Sequence, residues 1–272
     1  MKPRILAILA LLSIMGLAMP VKAANPDHVR QLLETKQCNE CDLTDANLVN
    51  FDLSNANLVR ADLRGANLSG TNLQGADMSG VNMNRTSLAD ANISNASLRG
   101  AKLRDADMVG VDLRAANLSD ADMRGAYLGG ADLSRADLSA ANLSRAHLEG
   151  VNLVGVDLSG ADLSQAKMDG AYLHVANLNG ANLSGANLNG SELYLADLRD
   201  ADLSEAQMDS ANLTGANLRR ADLSGAVLTA SILRGVDLTG TKISRTNFEG
   251  AIGIDETTSM LLEQPPTLED RE

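Results

Sequence analysis

A leucine or another large apolar residue recurs every five residues from Cys41 to Gly250, with no insertion or deletion. The central residues of these five-residue units occupy 42 positions between 43 and 248: 33 are Leu, six are Met, two are Ile and one is Phe. The residue two before the centre is small or β-branched in all units but one, and is most often Ala. The residue just before the centre is Asn or Asp in 30 units, and the residue two after it is Gly in 20 units.

This period excludes the two regular secondary structures. In an α-helix five residues turn by about 500°, so the central residues would spiral over every face. In a continuous strand successive central residues would alternate between opposite faces, because five is an odd number. A short extended piece followed by a turn in each unit keeps the Ala and the central residue on one inner face. Gly, Asn and Asp accept the backbone conformations of turns, so we predict a chain coiled around a leucine core.

The outward positions indicate four units per coil. Only four carboxylates directly follow a central residue, and their positions differ by multiples of 20: Glu149, Asp169, Asp209 and Glu249. Serines recur at the same interval from Ser144 to Ser244. Four units per coil give a square cross-section. With about 4.8 Å between neighbouring strands, about ten coils make a rod about 50 Å long.

The motifs Ala-Asp-Leu-Ser, Ala-Asn-Leu-Ser-Gly and Ala-Asn-Leu-Arg resemble the pentapeptide-repeat family, and the resemblance extends over residues 41–250. It implies an all-β fold, a right-handed quadrilateral β-helix with the central residue and the residue two before it pointing inward. The order of a signal peptide, a short cap, Cys-Asn-Glu-Cys and a long repeat run most resembles exported cyanobacterial members. The resemblance implies little about activity, because many functions share the fold.

The sequence divides the chain into four predicted segments. Residues 1–23 have the features of a signal peptide, with Lys2 and Arg4 before an apolar run and Ala23 at the cleavage site. Residues 24–40 form an amino-terminal cap with a helix from Pro26 to about Lys36. Residues 41–250 form the β-helix. Residues 251–272 form a carboxyl-terminal cap, with a short helix over 255–263, and an acidic tail.

Charge and hydropathy indicate where the protein is located and which classes of partner it can bind. The formal net charge is -12, and it becomes more negative once Lys2, Arg4 and Lys22 are removed with the signal peptide. This charge opposes direct nucleic-acid binding, which needs clustered Lys and Arg. The amino-terminal apolar run is shorter than the roughly 20 residues that cross a bilayer. We therefore expect an exported protein of the periplasm or the thylakoid lumen, without a membrane anchor after cleavage.

Cys38 and Cys41 lie in Cys-Asn-Glu-Cys, where the cap meets the first coil. A disulfide is favoured, because export places the pair in an oxidising compartment and similar family members carry such cysteines. Two free thiols remain an alternative. A redox centre lacks its usual strand and helix pattern, and a zinc site lacks a second pair of ligands.

The sequence offers no catalytic constellation. His28, His147 and His174 have no Ser or Cys placed as a nucleophile, and we interpret all three as surface residues. The numerous Asn and Asp occupy one repeat position, which indicates turn and stacking roles rather than acid and base catalysis. We expect no enzyme activity, no cofactor, no metal and no small-molecule substrate.

Grouping the outward residues by coil gives one strongly acidic side, whose central residues are 48, 68 and onward to 248. Its acidic residues are Asp90, Asp107, Glu149, Asp169, Asp209 and Glu249, against the single base Lys167. This side is a candidate for docking a basic partner or for loose cation binding. The alternative is a solvated face that prevents association.

The next side carries apolar residues where the repeat elsewhere places Ser, Asn or Gly. We call them the tyrosine cluster: Val154, Tyr172, His174, Val175, Tyr194 and Leu195. Exposed apolar residues in a cluster often mark a contact site.

The sequence therefore favours a non-catalytic exported protein that presents a rigid rod to a protein partner or to a second copy of itself. The alternative, which the resemblance implies, is a DNA-mimicking inhibitor of a topoisomerase, as some family members act on gyrase. Acidity permits this alternative, whereas the signal peptide and the scarcity of Phe at the central positions oppose it.

Overall fold

The computed structural model describes residues 24–253, and helix α1 (Pro26–Thr35) is the single helix of that part of the chain. The described residues after α1 form parallel β-bridges one residue long, each joining a residue to the one 20 positions later. The 40 bridges run without a break from Gln37 with Asn57 to Ile232 with Ile252. The chain therefore winds into coils of 20 residues with four sides, one unit to each side.

We number the sides by their central residues, which recur every 20 residues. The first side begins with Leu43, the second with Leu48, the third with Leu53 and the fourth with Leu58. The predicted acidic side is the second side, and the tyrosine cluster lies on the third side.

Hydrogen bonds between neighbouring coils hold the rod together along its axis. In the unit of Leu158, the backbone N–H of Leu158 donates to the carbonyl oxygen of Asn177 at 2.7 Å, and that of Gly160 donates to Asn179 at 2.9 Å. The N–H of Ala161 donates to the carbonyl oxygen of Leu158 at 3.0 Å and closes the turn to the next side. Each coil thus depends on its two neighbours, as in other solenoids.

The corner of every unit, two residues after the centre, has a left-handed backbone. In all 42 units the φ of this residue lies between 51° and 72°. Gly fills 20 of these corners, because it adopts positive φ without a steric cost. The other 22 corners carry side chains, mainly Asp, Asn and Arg.

The central residues and the residues two before them fill the interior. Every central residue from Leu43 to Leu228 is at most 1% exposed, and the Ala residues two before them are at most 3% exposed. Threonines at the Ala position keep their hydroxyls bonded: Oγ1 of Thr71 donates to the carbonyl oxygen of Leu48 at 2.6 Å. The core is therefore built from many small aliphatic contacts.

Helix α1 covers the start of this core. The side-chain Oδ1 of Asn25 accepts a hydrogen bond from the N–H of Asp27 and caps the helix, and Leu32 is fully buried. Nδ1 of His28 accepts a hydrogen bond from the N–H of Asp42 at 2.9 Å. The sequence alone indicates that His28 is a surface residue. The structure shows instead that His28 joins α1 to the first coil.

Two expected segments, the signal peptide of residues 1–23 and the carboxyl-terminal cap beyond residue 253, lie outside the described residues. Within residues 24–253, no helix is long and apolar enough to cross a membrane.

Candidate protein-binding surfaces

The structure places the tyrosine cluster on three successive coils of the third side. Tyr172, Val175, Tyr194 and Leu195 are 43 to 53% exposed, whereas Val154 is half-buried. These values are high for large apolar side chains, and the four most exposed residues lie on two neighbouring coils. The coil geometry therefore brings together residues that are up to 41 positions apart in the sequence.

His174 orders the two tyrosine rings. Its ring centroid lies 6.4 Å from that of Tyr172 and 6.3 Å from that of Tyr194, and both contacts are edge-on. Nε2 of His174 lies 3.8 Å from Oε2 of Glu192, and this oxygen also accepts a hydrogen bond from Nδ2 of Asn212 at 2.8 Å. The cluster is thus an aromatic surface with a fixed polar edge.

Two residues of the cluster occupy left-handed corners. The φ of Val175 is 51° and that of Leu195 is 55°. Val175 is the single β-branched residue among the 22 non-glycine corners, and a β-branched side chain is strained in this conformation. A Cβ atom on Gly215 would lie 2.7 Å from Cδ2 of Leu195, so the glycine makes room for the leucine.

An open groove of about 600 Å³ adjoins the cluster on the third side. It extends from Gln74 to Val154 and is mainly polar. Nε and Nη2 of Arg114 donate to the two carboxylate oxygens of Asp112 at 2.8 and 2.7 Å. The third side thus combines a polar groove and an apolar cluster along one line.

The acidic residues of the second side are dispersed along the rod. Oδ1 of Asp169 accepts a hydrogen bond from Nδ2 of Asn187 at 2.6 Å, and Oε1 of Glu149 lies 3.4 Å from Nδ1 of His147. Asp209 lies two coils from Asp169 and two coils from Glu249. Asp90 and Asp107 lie nearer the amino-terminal end. Within residues 24–253, no group of three or more His, Cys, Asp and Glu side chains could hold a metal ion. A role for this side in docking a basic partner stays a prediction.

The same side carries an aromatic pair that the sequence reasoning missed. The rings of Tyr127 and His147 stack with centroids 4.8 Å apart and an interplanar angle of 27°. Tyr127 is 46% exposed, and nearby Val109 is 47% exposed. The sequence could have indicated this pair, because Tyr127 and His147 are 20 positions apart and each directly precedes a central residue.

Arginines two residues after an aspartate form local ion pairs. Nε and Nη2 of Arg64 donate to the carboxylate of Asp62 at 2.8 and 2.6 Å, and these hydrogen bonds hold the pKa of Asp62 below its usual value. The pKa of Asp112 is lowered by Arg114 in the same way. Because these pairs are partly exposed, each contributes little to stability.

The sulfur atoms of Cys38 and Cys41 lie 2.09 Å apart, at disulfide distance, and the two Cα atoms are 5.2 Å apart. The pair lies between α1 and the first coil. Formation of this bond in the exported protein stays a prediction.

The family model of pentapeptide repeats matches nearly the whole rod. The matched segments are residues 37–75, 66–105, 96–135, 106–145, 136–174, 176–215 and 211–250. No curated protein matches the chain.

Several solved structures are similar to the chain. HetL, a pentapeptide repeat protein involved in heterocyst differentiation regulation in the cyanobacterium Nostoc sp. strain PCC 7120, is 30% identical, with 84% of this chain and 96% of HetL covered and a TM-score of 0.40. A pentapeptide repeat protein from the thylakoid lumen of Arabidopsis thaliana is 30% identical, with 43% of this chain and 73% of that chain covered and a TM-score of 0.34.

QnrB1, a plasmid-mediated fluoroquinolone resistance protein, is 22% identical, with 66% of this chain and 90% of QnrB1 covered and a TM-score of 0.57. This likeness shows a shared fold, and the pentapeptide-repeat structures form right-handed β-helices. The 20-residue coil, the left-handed corners and the family match over residues 37–250 lead to one conclusion: the chain belongs to the pentapeptide-repeat family.

Proposed function

We propose that this protein is a non-catalytic binding protein whose rod presents the tyrosine cluster to another protein. The observation that carries the proposal is the exposure of Tyr172, Val175, Tyr194 and Leu195 on two neighbouring coils. Most other units carry small or polar residues at these positions. An apolar centre of this kind, enriched in tyrosine, is typical of protein interfaces.

The backbone of the cluster supports the same proposal. Val175 and Leu195 occupy left-handed corners, where Gly or Asn would cost less energy. Because both side chains are about half exposed, they add little to the core. Residues that lower stability without filling the core are expected where they serve a contact.

The adjoining groove supplies the polar surroundings that such an interface needs. It lies on the same side as the cluster and ends at Val154. A partner segment that covers the cluster could therefore continue along the rod and make polar contacts there. A second copy of the chain is one such partner, since symmetric pairing of one patch is the commonest route to a dimer.

The test is the variant with Tyr172→Ser, Tyr194→Ser and Leu195→Ser. We expect an unchanged circular dichroism spectrum and the loss of dimerisation or of partner capture from exported fractions. The matched control is Val109→Ser with Tyr127→Ser, which removes exposed apolar residues from the second side and should leave binding unchanged. Equal sedimentation and equal capture by the wild type and the triple variant would refute the proposal.

The proposal includes export of the mature chain to the periplasm or the thylakoid lumen, after removal of residues 1–23. It also includes the right-handed winding, the boundaries 24–40, 41–250 and 251–272, and the absence of enzyme activity. Amino-terminal sequencing of the mature protein should give Ala24 as the first residue. Recovery of the full chain from the cytoplasm would contradict export.

Inhibition of a topoisomerase by DNA mimicry is the second candidate. Its support is the shared fold with QnrB1, and an identity of 22% shows the fold alone. DNA mimicry needs a continuous negative surface, and arginines interrupt such a surface on the first side. A DNA supercoiling assay with gyrase tests this candidate. Inhibition of gyrase at a stoichiometric concentration of the protein would support it.

A further inference from the structure

The first side carries one arginine on each of five successive coils: Arg64, Arg85, Arg104, Arg124 and Arg145. All five side chains are exposed. With about 4.8 Å between coils, they extend over about 20 Å along the rod axis. We call this stretch the arginine groove.

The surface between these arginines is concave. Two open stretches, of about 600 and 330 Å³, share Arg104 and Asp105 and follow one another along the side. Three of the arginines directly follow a central residue, whereas Arg85 and Arg145 occupy corners. The arginines therefore form two parallel rows. Gly65 and Gly125 occupy the same corner row as Arg85 and Arg145 and line the open stretches.

The groove is positive although the chain is negative. The outward residues of its five units include six bases and three acids, a net charge of +3, whereas the chain has a net charge of -12. Further along the same side acids predominate, so the charge averaged over the whole side hides the groove. A local excess of positive charge of this kind attracts anionic partners.

Aspartate carboxylates inside the groove already bind some of these arginines. Arg124 donates through Nε and Nη2 to the carboxylate of Asp122 at 2.8 and 2.9 Å, and Nε of Arg104 donates to the same carboxylate at 2.6 Å. Guanidinium groups bind carboxylates in this side-on geometry. Arg85 and Arg145 form no ion pair with any described residue. Both guanidinium groups are therefore available to a partner.

We propose that the arginine groove binds an extended acidic segment of another protein. Successive side chains of a strand point to opposite sides, so a strand in the groove presents its carboxylates alternately to the two arginine rows. Nucleic acid fits less well, because no aromatic residue lines the groove for base stacking and the molecule as a whole is acidic. The site does not depend on the tyrosine cluster, which lies on another side.

The experiment measures binding of fluorescently labelled hexaglutamate, which extends over about 20 Å, by anisotropy with the purified protein. We expect saturable binding that weakens as sodium chloride is raised. The variant with Arg85→Gln, Arg104→Gln and Arg145→Gln should bind about tenfold more weakly, since three exposed charge pairs are lost. The control with Arg99→Gln, Arg199→Gln and Arg219→Gln removes the same charge from the fourth side and should bind like the wild type.

Two further probes of similar charge, an oligogalacturonate and a single-stranded DNA oligomer, identify the class of partner. Weaker binding of both than of hexaglutamate supports the proposal. Three outcomes would overturn it. Either probe could bind more tightly than hexaglutamate, the groove variant could bind hexaglutamate as well as the wild type, or the fourth-side control could lose as much binding as the groove variant.

Melting curves of the wild type, the groove variant and the fourth-side control should coincide, because the substituted side chains are exposed. The triple Ser variant of the tyrosine cluster should bind hexaglutamate like the wild type, which separates this test from that of the proposed function.

Discussion

At the scale of single residues, the central positions of the repeat tolerate neither an unpaired polar group nor lost volume. Leu158 is fully buried between Leu138 and Leu178 of the neighbouring coils, and its backbone N–H bonds the next coil. The central residues from Leu43 to Leu228 are buried in the same way along the rod. The stability of the rod thus depends on a repeated apolar contact that no other interaction can replace.

Substitution at Leu158 measures this dependence. Leu158→Ala should lower the free energy of unfolding by about 3 kcal/mol, and Leu158→Asp should prevent folding because it buries an unpaired charge. Gln165→Asp is the control, since it adds the same charge at a corner where Asp45 and Asp90 already occur. Circular dichroism and thermal melting check the result. Soluble Leu158→Asp protein with wild-type melting would show that Leu158 does not point inward.

The left-handed corners allow a second prediction at this scale. Val175→Asn should raise the free energy of unfolding by about 1 kcal/mol, because Asn adopts positive φ more easily and little apolar area is lost. Asn50 and Asn55 already occupy equivalent corners. The control Val154→Asn lies outside a corner and should give no such gain. Urea denaturation measures both changes, and a less stable Val175→Asn protein would show that this corner is not strained.

At the scale of elements, α1 ends the rod by covering the first coil. Leu32 is buried, and Val29 and Leu33 pack against the same core. Asn25 caps the helix, and the hydrogen bond between the N–H of Asp42 and Nδ1 of His28 fixes it to the first coil. The helix therefore closes an apolar end that a bare coil would expose.

The disulfide prediction belongs to this element. Thiol titration of the unfolded, unreduced protein should find no free thiol at Cys38 or Cys41. Reduction should have little effect on the stability of the coils, because a bond that closes so short a loop removes little entropy from the unfolded chain. It should speed hydrogen exchange mainly in α1, which lies next to the bond. The double variant Cys38→Ser, Cys41→Ser should match the reduced protein. Two reactive thiols in exported protein would contradict the prediction.

At the scale of the whole molecule, several aspartates along the rod have a lowered pKa. The side-chain hydroxyl of the residue two positions later, and then its backbone N–H, hydrogen-bond the carboxylates of Asp52 and Asp237 and lower the pKa of both aspartates. Arginine hydrogen bonds do the same for Asp62, Asp112 and Asp197. The molecule thus carries many carboxylates whose folded pKa is below the unfolded value.

This distribution predicts acid sensitivity. A lowered folded pKa contributes stability above the unfolded pKa of about 3.9, and that contribution is lost as pH falls toward the folded pKa. The melting temperature should therefore be nearly constant from about pH 8 to pH 5 and should fall below about pH 4. The variant Asp62→Asn, Asp112→Asn, Asp197→Asn should show a shallower fall in calorimetry across this range. Identical acid profiles for the variant and the wild type would contradict the linkage.

The candidate surfaces could be predicted only in part. Sequence reasoning grouped Tyr172, His174 and Tyr194 on one side, because a 20-residue coil aligns them. It could not show that His174 lies edge-on between both rings, since side-chain orientation depends on neighbouring coils. It also missed the stack of Tyr127 on His147.

The sequence by itself determined the inward residues through the five-residue period, the four-unit coil through the 20-residue spacing of outward residues, and the family through the motifs of its units, because each unit repeats the same local choice between core and corner. The tertiary structure decided that 22 non-glycine corners adopt positive φ, that His28 joins the cap to the rod, and that five arginines share one groove. The physical reason is distance along the chain. Inward burial follows from neighbours within one unit, whereas outward contacts join residues about 20 positions apart, whose meeting depends on the geometry of the coil.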